Sequence, residues 1–377
     1  MRIQALDVAR GVAILGTLAT NIWIITHPAG MVGYLANPIT PDTAAGWALV
    51  QRAAMAVANG KFLALLTLMF GIGLSIQAES ARRKGAPWPG SYPVRAGLLF
   101  VDGLVNYFLI AEFDVLMGYA FTGLIAAGLV LGAPRTRRLV AGVAAGVHLL
   151  LAGVLSVAVL GLPAMSTPTG PNVYRDGSWW DLVVFRADNM LAFRAEPLLL
   201  IPYFLAMYLI GAALLRRGIF TDEGAVLRKR LLVIGLGLAW PLDLAIGTFG
   251  GVAGFFASRY LLAPVVALGL LALVAHLCLR HGTSGRGARW LALVGRVSLS
   301  CYLVQNLVAG ALCYGWGLGL AGWFGPHRVP WTLALYVALC AGLVIGARVW
   351  LAHSRRGPLE ALWARSHEAL LRGRLDG

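Results

Sequence analysis

The stretch SRYLLAPVVALGLLALVAHLCL, residues 258–279, decides the fold. It carries one charged residue, Arg259, and as a helix it is about 33 Å long at about 1.5 Å per residue. That matches a bilayer's hydrocarbon core, which takes about 20 apolar residues to cross. A barrel strand would show short alternating segments, and this run is continuous. Similar runs recur along the chain, which has 377 residues, 59% of them hydrophobic and 12% charged. A soluble domain carries about a quarter charged residues, so most of this surface has to face lipid. The fold expected is all-α, a polytopic membrane helical bundle. Its spans lie near 8–26, 61–78, 94–111, 113–132, 138–161, 198–215, 229–249, 258–279, 297–317 and 331–352, about ten transmembrane helices.

The basic residues orient these spans, because Lys and Arg concentrate in cytoplasmic gaps. With the N-terminus inside, every inside gap is rich: Arg82, Arg83, Lys84 and Arg95 in one, Arg216, Arg217, Arg228, Lys229 and Arg230 in another. The outside gaps keep isolated cations such as Arg52, Arg175, Arg186, Arg194, Arg259 and Arg328. An even span count preserves that alternation, so both termini are expected in the cytoplasm. Residues 1–353 read as a single transmembrane domain. Residues 354–377 read as a basic amphipathic cytoplasmic tail on the anionic inner leaflet. The longest external loop, about 163–197, holds Trp179, Trp180, four acids and three Arg. It is either a solvated loop with an interfacial Trp anchor or a lid over an outward-facing cavity.

A net charge of +15 would suggest nucleic acid on a soluble protein. Here the cations lie in short gaps between apolar runs, so the expected partner is the lipid bilayer and no nucleic acid. Cys278, Cys301, Cys313 and Cys340 sit inside apolar segments without a CxxC pair, and read as small buried hydrophobes. No metal-ligand spacing appears, nor any phosphate-cradling GxxxxGK[ST] loop. The first apolar run lacks a small-residue cleavage site and reads as a retained helix.

Charge inside a span is costly and usually faces a bundle interior. Asp7 and Arg10 stand three apart on one face of the first span and can pair. Asn21 lies three turns further along, close to the same face. Lys61 opens the second span and either snorkels or serves a function. Asp102, Asn106, Glu112 and Asp114 gather across spans three and four. Like charges so placed raise one another's pKa unless Lys or Arg approaches. Asp243 follows Pro241 and marks a broken helix. Gln305 and Asn306 suit an interhelical hydrogen bond. His148 and His276 read as packing positions. His27, just past the first span, is either an interfacial residue or a base or nucleophile for a group handed across the membrane.

These landmarks resemble the YeiB-type inner-membrane family, a bacterial domain of unknown function. LDVARGVAILGTLATNI (6–22) resembles its opening at Asp7, Arg10, Gly11 and Asn21. GKFLALLTLMFGIG (60–73) resembles its second span, and FDVLMGYAFTG (113–123) matches its GDIL-containing stretch at Asp114. The closest likeness is C-terminal, about 290–363: GRVSLSCYLVQNLVAGALCYGWGLGLAG (295–322), with Arg296 and Gln305, then RRGPLEALWARS (355–366) with Glu360 and Trp363. The family's histidine on span three is replaced here by Asn106.

The family is similar to the transmembrane acyltransferase superfamily, including heparan-glucosaminide acetyltransferases and sugar O-acyltransferases. Those enzymes carry an Arg followed after ten residues by His or Asn, a spacing that Arg10 and Asn21 reproduce. The resemblance implies an acyltransferase moving an acyl group from cytoplasmic acyl-CoA to an extracytoplasmic glycan, lipid or small molecule, without a metal. His27, Asp114 and Asn21 would then be catalytic. Asp7, Arg10, Lys61, Asp102, Asn106, Arg296, Gln305 and Glu360 would bind substrate or cofactor. A transporter or a non-catalytic accessory protein stays open beside it. So does the oligomeric state, a homodimer included.

Overall fold

The computed structural model describes residues 3–161 and 171–372. Arg2, the start of the expected external loop (163–170) and the last tail residues (373–377) lie outside the described residues. Every regular element among the described residues is helical: α1 (Gln4–Ile25), α2 (Gly30–Ala36), α3 (Ala45–Ala58), α4 (Lys61–Arg83), α5 (Tyr92–Leu109), α6 (Leu116–Leu129) and α7 (Pro134–Gly161). Three short helices follow, α8 (Val173–Asp176), α9 (Trp179–Asp188) and α10 (Met190–Leu199), then α11 (Ile201–Arg216), α12 (Ala225–Leu232), α13 (Trp240–Phe249), α14 (Gly251–Ala257) and α15 (Ala263–His281). The chain closes with α16 (Arg286–Arg296), α17 (Ser298–Cys313), α18 (Leu320–Trp323), α19 (Arg328–His353) and α20 (Pro358–Arg372).

Among the described residues, seven helical stretches are long and apolar enough to cross a membrane, or eight if the bent pair α16–α17 counts as one span. The other two stretches of the ten expected are helical but weaker. Arg95, Asp102 and Asn106 dilute α5, and the 14 residues of α6 extend only about 21 Å. The aqueous gap expected at 280–296 is largely helix α16, which meets α17 at 86° and packs along the start of α1.

Several local breaks have identifiable causes. Pro241 lacks an N–H and its ring crowds the carbonyl four residues earlier; the π-helical turn Val233–Ala239 just before it absorbs the misfit. Pro264 follows a second π-turn, Ser258–Leu262. The Tyr260 carbonyl, four residues before it, receives His148 Nε2 at 2.9 Å, which gives that histidine its packing role. Gly60, at φ 73°, divides α3 from α4, and only glycine adopts that conformation without strain. Lys61 then turns its ammonium back onto the end of α3, donating to Ala56 O at 2.6 Å and Asn59 O at 3.3 Å.

Close helix packing rests on small residues, the main device available where lipid removes the hydrophobic drive between helices. A Cβ on Gly11 would lie 2.0 Å from Leu291 O, and one on Gly295 would lie 1.8 Å from Asp7 O. The α1–α16 crossing is therefore backbone on backbone. The end of α1 is capped by Arg328, buried, whose guanidinium donates to Trp23 O at 3.0 Å, Thr26 O at 3.2 Å and Pro38 O at 3.1 Å. A cation on terminal carbonyls complements the helix dipole.

Candidate functional site

Among the described residues, two of the bundle's cavities stand out, and the register of α1 and α4 places them at opposite ends. The first, about 540 Å³, takes Arg10 and Ile14 from α1 and Leu66 to Gln77 from α4. The second, about 390 Å³, takes Thr17 to Ile24 from α1 but only Gly60 and Leu63 from α4. Tyr302 of α17 lines both, so this buried ring stands between them.

The first cavity lies at the end of the bundle where α1 begins, and α20 forms part of its wall. Arg10, Arg95 and Arg356 line it together with Glu360, Trp363 and His367. Arg95 is held by Gln77 Oε1 at 2.7 Å, and Asp7 lies 3.7 Å from Arg10, as the sequence spacing suggested. Glu360 anchors α20 by capping α17: its carboxylate accepts from Leu299 N at 2.9 Å, Ser300 N at 3.2 Å and Ser300 Oγ at 2.5 Å. The unpaired N–H groups of a helix start favour such an acceptor. Trp363 Nε1 donates to Asp102, fixing α20 to α5.

The acids expected to gather across spans three and four separate into three sites. Asp102 faces α20. Glu112 accepts from Arg186 Nε at 3.1 Å and from the Tyr174 hydroxyl. Asp114 accepts from Asn106 Nδ2 at 2.9 Å and Met117 N at 3.2 Å, and Arg194 stands 4.0 Å away. Arg194 also donates to the Asp114 and Glu112 carbonyls and lies over the Tyr107 ring at 4.2 Å. Arg186 and Arg194 come from α9 and α10, inside the segment expected as an external loop. They are 1% and 8% exposed, so they pair with buried acids and are not solvated. Two acids flanking Phe113 demand two cations, and Arg186 and Arg194 were a legible signal for them. The same segment supplies Phe193 and Glu196 to the second cavity, so it forms a wall of that cavity.

Around Tyr302 the junction is polar. Asn106, Asp114 and Arg194 lie within electrostatic reach of its hydroxyl. Asn21 Nδ2 donates to Asn306 Oδ1 at 3.2 Å, and Gln305 Nε2 to Thr17 Oγ1 at 3.4 Å. Asn106 Oδ1, Gln305 Oε1 and Asn306 Nδ2 are buried and make no hydrogen bond among the described residues. Buried polar atoms are ordinarily satisfied, so a cluster of exceptions marks a place built for more than packing.

Of the expected site residues, Arg10 and Glu360 line the first cavity and Asn21 the second. Lys61 pairs with Asp243, both fully buried, and neither lines either cavity, although Gly60 beside Lys61 lines the second. Arg296 ends α16 at the bend. His27 is buried in the turn between α1 and α2: Nδ1 accepts from Ala29 N at 3.1 Å, and Nε2 meets Asn37 O at 3.2 Å. Burial, then Arg328 nearby, lower its pKa to about 4. It lines neither cavity. Among the described residues no group of His, Cys, Asp and Glu is placed to hold a metal ion.

A family model described as a protein of unknown function (DUF418) matches residues 214–367. "Uncharacterized protein YeiB" of Escherichia coli (strain K12) is 31% identical, over 95% of this chain and 94% of its own length. "Uncharacterized protein YxaH" of Bacillus subtilis (strain 168) is 26% identical, over 96% and 93%. No solved structure matches. A relative 31% identical and covered almost end to end places the chain in a known group: it belongs to the YeiB family of DUF418 proteins.

Proposed function

We propose that this protein is a multi-pass plasma-membrane acyltransferase with ten crossings and both termini in the cytoplasm. The observation that carries this reading is the pair of cavities at opposite ends of the bundle, separated by Tyr302. A transfer across a bilayer needs a donor site on one face, an acceptor site on the other and a reacting centre between.

The first cavity suits acyl-CoA. Arg10, Arg95 and Arg356 offer three cations for its phosphates, and Ile14, Leu66, Met69 and Leu99 continue as an apolar path to Tyr302. At the junction the acceptor oxygen attacks the thioester carbonyl carbon. The carbon–sulfur bond breaks, and CoA leaves as the thiol with the acceptor's proton. Asn21 faces the acceptor, and Asp114 with Asn106 and Arg194 sets the field around Tyr302. His27 holds the turn that ends α1.

The test is purified protein in nanodiscs with radiolabelled acetyl-CoA. Binding is expected, weakened about tenfold or more in Arg95→Ala, with CoA released once an acceptor is present. No binding and no CoA release from the wild type would refute the reading. The Tyr302 partition also suits alternating access by a transporter, which would move solute in proteoliposomes without consuming thioester.

A further inference from the structure

We propose that the second cavity binds a neutral polyol of about monosaccharide size, anchored by the open carboxylate oxygen of Glu196. The ligand's identity as acyl acceptor rests on the acyl-transfer reading; its binding does not.

The Glu196 carboxylate is divided in its duties. Oε1 accepts from Arg259 Nε at 3.0 Å, from a terminal guanidinium nitrogen of Arg259 at 2.7 Å and from the Tyr260 hydroxyl at 2.9 Å. Oε2 makes no hydrogen bond among the described residues, and the side chain is 40% exposed although it lines a mostly apolar cavity. A carboxylate oxygen left open in such a place is an acceptor aimed at a ligand.

The remaining polar groups narrow the chemistry. Asn21 spends one of its two amide N–H groups on Asn306. It therefore offers the same cavity its Oδ1 as a second acceptor and one remaining donor, a pairing that a hydroxyl can answer on both sides. Tyr34 adds a hydroxyl whose pKa is raised to about 12, mainly by burial. Arg259 already cancels the charge of Glu196. An ammonium ligand would find little net attraction, and an anion would meet Oε2 directly. What fits is a neutral molecule bringing two or more O–H donors. A simple long-chain alcohol brings one O–H donor and matches only one of the acceptors.

Size and walls agree with a sugar-like polyol. The 390 Å³ correspond to about thirteen waters at roughly 30 Å³ each, room for one hexose together with several ordered waters. Phe113, Phe193, Phe255, Phe256 and Tyr302 supply ring faces against which the C–H faces of a pyranose can lie.

The experiment is saturation-transfer-difference NMR on protein in nanodiscs, with D-glucose, N-acetylglucosamine and 1-octanol as ligands. Transfer to the ring protons of at least one sugar is expected. Glu196→Gln keeps an acceptor for Arg259 but places an N–H donor at the open position, and should weaken binding at least tenfold. Ala192→Trp fills the cavity from an exposed position one helical turn before Glu196, leaves both members of the Glu196–Arg259 pair in the chain, and should abolish the signal; it decides the matter if Glu196→Gln fails to fold. No transfer to either sugar, transfer to octanol alone, or full binding by either folded variant would overturn the proposal. Sugar binding lost in both variants, in a protein that consumes no thioester, would uphold the ligand class and remove the acyl-transfer reading.

Discussion

Gly295→Ala should loosen the start of the bundle, and the cost follows from the backbone. The new methyl carbon would sit 1.8 Å from Asp7 O, 2.7 Å from Asp7 C and 3.0 Å from Gly11 N. A comfortable carbon–oxygen contact is about 3.3 Å, so α1 and α16 must part by about 1.5 Å. No side-chain rotation relieves this, because every neighbour named is main chain. Overpacking of this kind costs about 1–3 kcal/mol, and the upper end applies when two helices must move. Alanine's better helix propensity returns up to about 1 kcal/mol, leaving a net loss of about 2 kcal/mol. Gly142→Ala, on α7 with nothing within 4 Å, is the control and should be neutral or mildly stabilising. Thermal unfolding in detergent micelles reads the difference, with Gly295→Ala melting several degrees below both wild type and control. Equal melting temperatures would mean that α1 and α16 do not cross on their glycines. The displacement also moves Asp7 and Arg10, so acetyl-CoA binding should weaken in the same variant.

Lys61→Met alone should cost about 3–5 kcal/mol by leaving the Asp243 carboxylate buried without its cation, whereas Lys61→Met with Asp243→Leu should recover most of that loss; chemical denaturation that finds the single variant as stable as the double contradicts the pairing. Because the pKa of His27 falls from 6.5 to about 4 on folding, the unfolded chain binds the extra proton between those values. The stabilisation is full above pH 6.5 and is lost, by up to about 3 kcal/mol, as pH falls toward 4. His27→Gln should flatten that part of the profile, and an unchanged slope would count against the burial. Glu360→Ala removes the cap on α17 and should cost about 1–2 kcal/mol while loosening α20. Faster tryptic cleavage at Arg365 is the readout, and wild-type cleavage would show that α20 is held by other contacts.

Reading the sequence alone established what depends on local composition. Long hydrophobic runs beside so little charge pointed to helices, which satisfy their own backbone groups, and to apolar surroundings for them. The Asp7–Arg10 pair and the helical break near Pro241 were also legible, because both are contacts within a few residues. Tertiary structure decided the rest, since the decisive partners are distant in the chain. Lys61 meets Asp243, Glu112 meets Arg186, and Glu196 meets Arg259, pairings that no periodicity encodes. The gap rich in arginine at 280–296 carried a sign in α16, where Ala288, Leu291 and Val294 repeat at helical spacing between Arg286, Arg289 and Arg296. Charge counting alone passes over that pattern. Tyr302 carried no sign at all, because a tyrosine in an apolar span looks like any other packing residue. Only when α17 packs against α1, α19 and α20 does its ring become the wall shared by two cavities. Sequence settles which segments leave water; the order in which they pack settles which polar groups meet, because burial forces each charge to find a partner in space and not in sequence.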